Sequence, residues 1–271
     1  MVEQQVDGQA PANVQSTPEG PAKNLLFEAD DFFNTAYEQG LQLSGTPEAK
    51  RRRARFYNLV QFFLQTLDLP GSVAECGCWK GLSSYIICQY IKAEDGRFKG
   101  ENYHIFDSFE GLNTPTGSDQ LPELTIKNLQ SKFGTVTGAF QADLRHVKQT
   151  LIDFPRLKFH KGWIPDSLST VPEQQYRFVH VDVDLYEPTL GAVAYFFPKL
   201  VPGGLIVCDD YGSLAWPGAR RAIDEYCQRQ GLRPLLLSTG QAVLRQRGER
   251  GEAEPQDRRG PKGWNWPWGK S

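Results

Sequence analysis

The sequence lacks a charge excess of either sign: 30 Lys and Arg against 32 Asp and Glu leave −2 with histidine neutral. That balance excludes both a global basic field for nucleic acid and an acidic, solvating tail protein. It also lacks any run of about 18 apolar residues, so no membrane-spanning helix is expected. The opening stretch MVEQQVDGQAPANVQSTPEGPAKN has no basic segment followed by an apolar one, so it does not read as a secretory leader. A soluble, cytoplasmic protein is the expectation. The five cysteines are an odd number without zinc-ligand spacing. Cys76 and Cys78 flank one glycine, while Cys88 and Cys208 sit in apolar runs, the usage of reduced, buried thiols. The four histidines show no metal-ligand spacing either. His104, His160 and His180 lie on strand candidates and read as core residues. No G-x-S-x-G elbow, no phosphate-loop Gly-Lys-Ser run and no dinucleotide G-x-G-x-x-G is found.

What is present is an alternation of apolar runs with helical patterns. Strands are expected at 72–75, 103–106, 157–160, 178–183, 205–208, 234–238 and 242–245. Helices are expected at 83–92, 124–132, 144–154, 187–200 and 217–229, after an N-terminal helix pair at 24–40 and 48–67. Several strands are continuously apolar, which suits strands covered on both faces of a parallel sheet. The fold class is therefore α/β, a doubly wound seven-stranded sheet. The last two strands are joined through Thr239-Gly240, a hairpin that makes one edge strand antiparallel. Residues 1–23 and 247–271 lack apolar periodicity and are expected to be flexible tails around a domain at 24–246. Trp264, Trp266 and Trp268 in the second tail read as incidental in preference to a docking motif. The basic run Lys50 to Arg55 reads as a solvated helix face.

The strand ends carry the chemistry. The first runs into Glu75-Cys76-Gly77-Cys78-Trp79-Lys80-Gly81-Leu82-Ser83-Ser84, a glycine turn that lets backbone approach a ligand at a helix N-terminus. An acid immediately before Cys76-Gly77 disfavours a pyrophosphate and suits a cation. That points to the sulfonium and α-amino group of S-adenosylmethionine in place of NAD. The second strand ends in Asp107-Ser108, where a carboxylate can accept from both ribose hydroxyls. After the third, Lys161-Gly162-Trp163 can cover an adenine or simply close a turn; the sequence does not rank the two. The fourth and fifth end in Asp182-Val183-Asp184 and Asp209-Asp210. Four carboxylates at neighbouring strand ends repel unless compensated, and a hard divalent cation such as Mg²⁺ resolves this. Segment 111–123, with Pro115, Gly117 and Pro122, reads as a lid over an acceptor.

Together and in this order, Glu75-Cys-Gly-Cys-Trp-Lys-Gly, Phe106-Asp-Ser-Phe-Glu-Gly, His160-Lys-Gly-Trp, Asp182-Val-Asp-Leu-Tyr-Glu-Pro-Thr, Pro198-Lys-Leu-Val-Pro-Gly-Gly and Asp209-Asp-Tyr-Gly resemble the macrocin O-methyltransferase family of class I methyltransferases. The resemblance covers roughly residues 50–230. It implies an enzyme that methylates a hydroxyl of a sugar or glycoside, depends on Mg²⁺ and takes its methyl group from S-adenosylmethionine. It implies Asp182, Asp209 and Asp210 as metal ligands, Asp184 as general base, and Glu75, Gly77 and Asp107 as cofactor contacts. Trp79, Gly81, Ser83, Ser108, Gly162, Trp163 and Asp182 complete the expected cofactor set. The sequence departs from the family at Leu82, often a glycine there, and at Val183, where the family has Asp-Gly-Asp. The expected partner is a small sugar or glycoside, with no nucleic acid or membrane, and a homo-oligomer left open. A non-sugar acceptor, an NAD-dependent oxidoreductase and a non-catalytic binding module are the rival readings.

Overall fold

The computed structural model describes residues 26–248. The expected tails and the three C-terminal tryptophans lie outside the described residues, apart from 247 and 248. Strands β1 (Ser72–Cys76), β2 (Tyr103–Asp107), β3 (Lys158–Lys161), β4 (Tyr176–Val181), β5 (Leu200–Cys208), β6 (Leu235–Leu236) and β7 (Ala242–Arg245) form one sheet. Its order is β3-β2-β1-β4-β5-β7-β6. Pairings among β1 to β5 are all parallel, and β7 runs antiparallel between β5 and the two-residue edge strand β6. The reversal of strand order beside β1 opens a crevice at the carboxyl ends of β1 and β4.

Helices α1 (Asp31–Ser44), α2 (Lys50–Leu64), α3 (Leu82–Glu94), α4 (Glu123–Phe133), α5 (Leu144–Thr150), α6 (Tyr186–Phe196) and α7 (Pro217–Gln230) cover the sheet. One buried cluster joins α1, α2 and α3 to one sheet face through Phe33, Phe63, Ile87 and Phe178. A second joins α6 and α7 to the other through Val179, Phe196, Ile206 and Ile223. All five residues of β1 are buried, Ser72 and Glu75 included, as a central strand between two helical layers requires. All five cysteines are free and buried.

The differences from the expected boundaries have local causes. The expected first helix begins later, because Asp30 has extended backbone and accepts from the Phe33 N–H at 2.9 Å, capping α1. Strand β4 stops at Val181 instead of 183, so Asp182 to Asp184 leave the ladder. The hairpin closes through Leu237, whose N–H bonds to the Gln241 carbonyl at 2.9 Å, which shortens the expected strand 234–238 to β6.

Gly77 is fixed by this topology. The Asp182 N–H donates to the Cys76 carbonyl at 2.9 Å, which draws the exit of β4 against the exit of β1. Gly77 has φ +80, and an added Cβ would lie 2.0 Å from the Asp182 carbonyl oxygen. Gly77→Ala therefore strains the turn and pushes on the segment carrying Asp182. We expect a loss of about 2 kcal/mol or more in urea unfolding; an unchanged midpoint contradicts the packing described.

Candidate active site

A cleft of about 250 Å³ opens at the carboxyl ends of β1, β2, β4 and β5. Gly77, Trp79, Ser83, Asp107, Ser108, Gly162, Trp163, Asp182, Asp184 and Asp210 of the expected set line it. Gly81, at φ +85, caps α3 just outside, with Val147 and Leu151 beneath it.

Asp107 organises the cofactor side. Its Oδ2 accepts from the Cys78 and Trp79 N–H groups at 2.8 and 3.2 Å, and its Oδ1 from the Phe109 N–H at 2.7 Å. Burial raises its pKa, while these backbone donors pull it back down. A carboxylate has about four acceptor sites. Three backbone donors therefore already occupy most of the acceptor capacity of Asp107. Trp79 sits edge-on to Phe140, ring centroids 5.8 Å apart, with Arg52 over its face. Across the cleft, Trp163 is 37% exposed, and the preceding Lys161 pairs with Glu110 at 3.1 Å. Ser108 ties its own turn, donating to the Gly111 carbonyl and accepting from the Glu110 N–H, both at 3.0 Å.

Glu75 is placed otherwise than expected. Its side chain is fully buried behind the cleft, where it accepts from the Ser83 and Ser84 hydroxyls and lies 2.9 Å from His180 Nδ1. Its carboxylate is directed into the interior, because the residue belongs to a strand covered on both faces. His180 reaches the other way with Nε2, 3.6 Å from Asp209 Oδ1. Glu75, His180 and Asp209 thus form a buried row across β1, β4 and β5.

The aspartates divide into two groups that share Asp182. Asp182, Asp184 and Asp210 offer carboxylate oxygens within 4.8 Å of one another, and a His180 ring nitrogen lies equally close to carboxylate oxygens of Asp182 and Asp209. Asp184, at φ 59, donates its N–H to Asp210 Oδ2 at 3.3 Å. Burial and the neighbouring aspartates hold the Asp184 and Asp210 carboxyls well above the ordinary range, with Arg55 opposing. Asp209 does not line the cleft. Its side chain is fully buried, contacted by Arg55 and by the Gln241 amide at 2.7 Å. The expected ligand set of Asp182, Asp209 and Asp210 is therefore not brought together as one group.

Arg55 corrects the reading of the basic run as a solvated face. Its side chain is 25% exposed, contacts Asp209, and stands 4.0 Å from both Asp182 and Asp210. Arg52 lines the cleft as well. A signal existed: Arg52 and Arg55 share the helical stripe of the buried Phe56 and Leu59. Asp119 gave no such signal. It is buried, accepts from the Tyr186 N–H at 2.7 Å at the start of α6, and accepts from the Thr116 N–H at 2.6 Å. The segment expected to be a lid is thus pinned to the loop that carries Asp184.

Family comparison follows this geometry. The family described as Macrocin-O-methyltransferase (TylF) matches residues 40–242, most of the chain. The chain belongs to the macrocin O-methyltransferase family. It is an O-methyltransferase, an enzyme that methylates a hydroxyl oxygen. It is 28% identical over 212 residues to the mycinamicin III 3''-O-methyltransferase of Micromonospora griseorubida, covering 77% of this chain and 81% of that one. It is 26% identical over 159 residues to the demethyldecarbamoylnovobiocin O-methyltransferase of Streptomyces niveus, covering 59% of each. The solved O-methyltransferase NovP superposes with a TM-score of 0.62 at 19% identity, over 82% of this chain and 98% of that chain. Calicheamicin methyltransferase CalS11 follows at 0.58 and 20%, over 90% and 99%. Both agree with the class I methyltransferase fold.

In this macrocin O-methyltransferase family member, Asp119 is expected to hold the acceptor side together. Hydrogen bonds to a charged group are worth about 1.5–3 kcal/mol. Asp119→Ala should lower the stability to urea by about 2 kcal/mol and increase proteolytic cutting within 112–122; parent-like resistance on both counts contradicts the anchoring role.

Proposed function

We propose that the protein transfers a methyl group from S-adenosylmethionine to a hydroxyl of a sugar or glycoside, assisted by Mg²⁺. The observation that carries this reading is the placement of Asp182, Asp184 and Asp210 on the wall of the same cleft whose other side is the Asp107-braced glycine turn. The name of a further relative, the 8-demethyl-8-(2,3-dimethoxy-alpha-L-rhamnosyl)-tetracenomycin-C 4'-O-methyltransferase of Streptomyces olivaceus, 28% identical over 177 residues, carries a rhamnosyl group and supports the sugar acceptor.

The donor set fits a hard divalent cation. It is all oxygen, its carboxylates lie within one coordination sphere of each other, and their mutual repulsion is the cost a cation removes. Asp182 and Asp210 would hold it. When bound, the cation supplies positive charge that favours loss of a proton from an adjacent hydroxyl. On the cofactor side, the Asp107 carboxylate would accept from the ribose hydroxyls, and Trp79 with Trp163 would provide apolar walls. The donor contributes an electrophilic methyl whose bonding pair departs with sulfur. Asp184 faces the acceptor as base and receives the hydroxyl proton, so the oxygen forms its new bond to carbon as that proton leaves. The remaining acceleration comes from alignment of oxygen, methyl and sulfur.

Incubation with S-adenosylmethionine and a pool of glycosides should add one methyl group to a pool member by mass spectrometry. A chelator should abolish that product and Mg²⁺ restore it; full turnover after exhaustive chelation excludes the metal from the reaction. Asp184→Asn should lower kcat about 10²-fold or more, the usual share of general-base catalysis. Mg²⁺ and S-adenosylmethionine affinities should stay near parent values in that variant. Rescue of Asp184→Asn by added Mg²⁺ would instead make Asp184 a ligand.

A further inference from the structure

The acidic cluster already contains a cation of the chain's own. Helix α2 is tied to the sheet end by a run of neutral hydrogen bonds. Asn58 donates to the Thr239 hydroxyl at 3.0 Å, and Thr239 donates to Gln241 Oε1 at 2.8 Å. The Gln241 amide then donates both to the Arg55 carbonyl at 3.2 Å and to Asp209 Oδ1 at 2.7 Å. Gln241 is fully buried. One amide therefore sets the backbone of Arg55 and the carboxylate of Asp209 against each other. The Arg55 guanidinium contacts Asp209 and stands 4.0 Å from Asp182 and from Asp210. It touches or approaches members of both groups of potential metal ligands. A guanidinium cannot lose its charge at physiological pH. A divalent cation that takes Asp209 as a ligand must therefore displace this charge from the carboxylate.

We propose that Arg55 is a positioning residue that competes with the divalent cation for Asp209. With Arg55 engaged, Asp209 is held as its counter-ion behind the cleft, and the cluster stays folded without metal. Where the cation takes Asp209 as a ligand, the guanidinium must give that carboxylate up. This keeps metal binding weak and reversible, and Asp209 becomes a ligand that is available only by exchange. The inference rests on the metal reading above and adds which group opposes it.

The test is calorimetric titration of Mg²⁺ into the full chain after chelator dialysis, comparing the parent with Arg55→Gln, Arg55→Lys, Asp209→Asn and the double variant Arg55→Gln with Asp209→Asn. Arg55→Gln should bind Mg²⁺ about tenfold or more tightly than the parent. Arg55→Lys, which keeps the charge on a head that cannot reach in the same way, should fall between them. In the Asp209→Asn background the gain from Arg55→Gln should shrink to less than about threefold. Equal or weaker binding by Arg55→Gln overturns the proposal, as does a gain that persists without Asp209. If Arg55→Gln does not fold, Arg55→Lys decides alone, and affinity at or below that of the parent overturns it. Absence of binding in every protein would overturn the metal reading itself, and this inference with it.

Discussion

Negative charge gathered at the carboxyl ends of β4 and β5 is the constraint around which the site is built. Asp182, Asp184, Asp209 and Asp210 stand where the parallel sheet opens its crevice. Burial makes their repulsion costly, which is seen in the raised Asp184 and Asp210 carboxyls. The chain answers with several partners. Arg55 brings a positive charge from α2, Gln241 brings an amide from the start of β7, and His180 extends from the neighbouring strand. These are elements far apart in sequence that the fold unites at one end of the sheet. What remains uncompensated faces the cleft, and that residue of charge is what a divalent cation would meet.

The same logic governs the cofactor side with opposite means. Asp107 is compensated by three backbone N–H groups, not by a cation. Those bonds fix the turn from Cys78 to Trp79. Gly77 is where the two sides meet, since its missing side chain lets the exits of β1 and β4 touch. A change on the cofactor turn is thereby felt at Asp182.

Much of the fold was legible because continuous apolar runs and helical stripes alternate without ambiguity, and the glycine-containing hairpin announced the reversed strand. The carboxylates at strand ends were legible because topology decides where strand ends go. Their directions were less so. Asp209 and Asp210 are consecutive at the end of an extended strand, and adjacent residues face opposite sides. Asp210 accordingly lines the cleft while Asp209 is buried behind it. The direction of Glu75 was hidden for a related reason, since it belongs to a strand with no solvent-facing side. Arg55 was hidden by composition: a run of five basic residues among six reads as surface, although the helical period sets two of them inward. Asp119 caps a helix 67 residues away, a distance at which no capping pattern is readable.

The most direct test of the account is a crystal of the full chain soaked with Mn²⁺ as a scattering substitute for Mg²⁺, together with S-adenosylhomocysteine. The account predicts an anomalous peak within coordination distance of Asp182 and Asp210, facing the cleft, with the ribose hydrogen-bonded to Asp107. Saturating Mn²⁺ with no peak at these aspartates, and Arg55 still seated on Asp209, would contradict it.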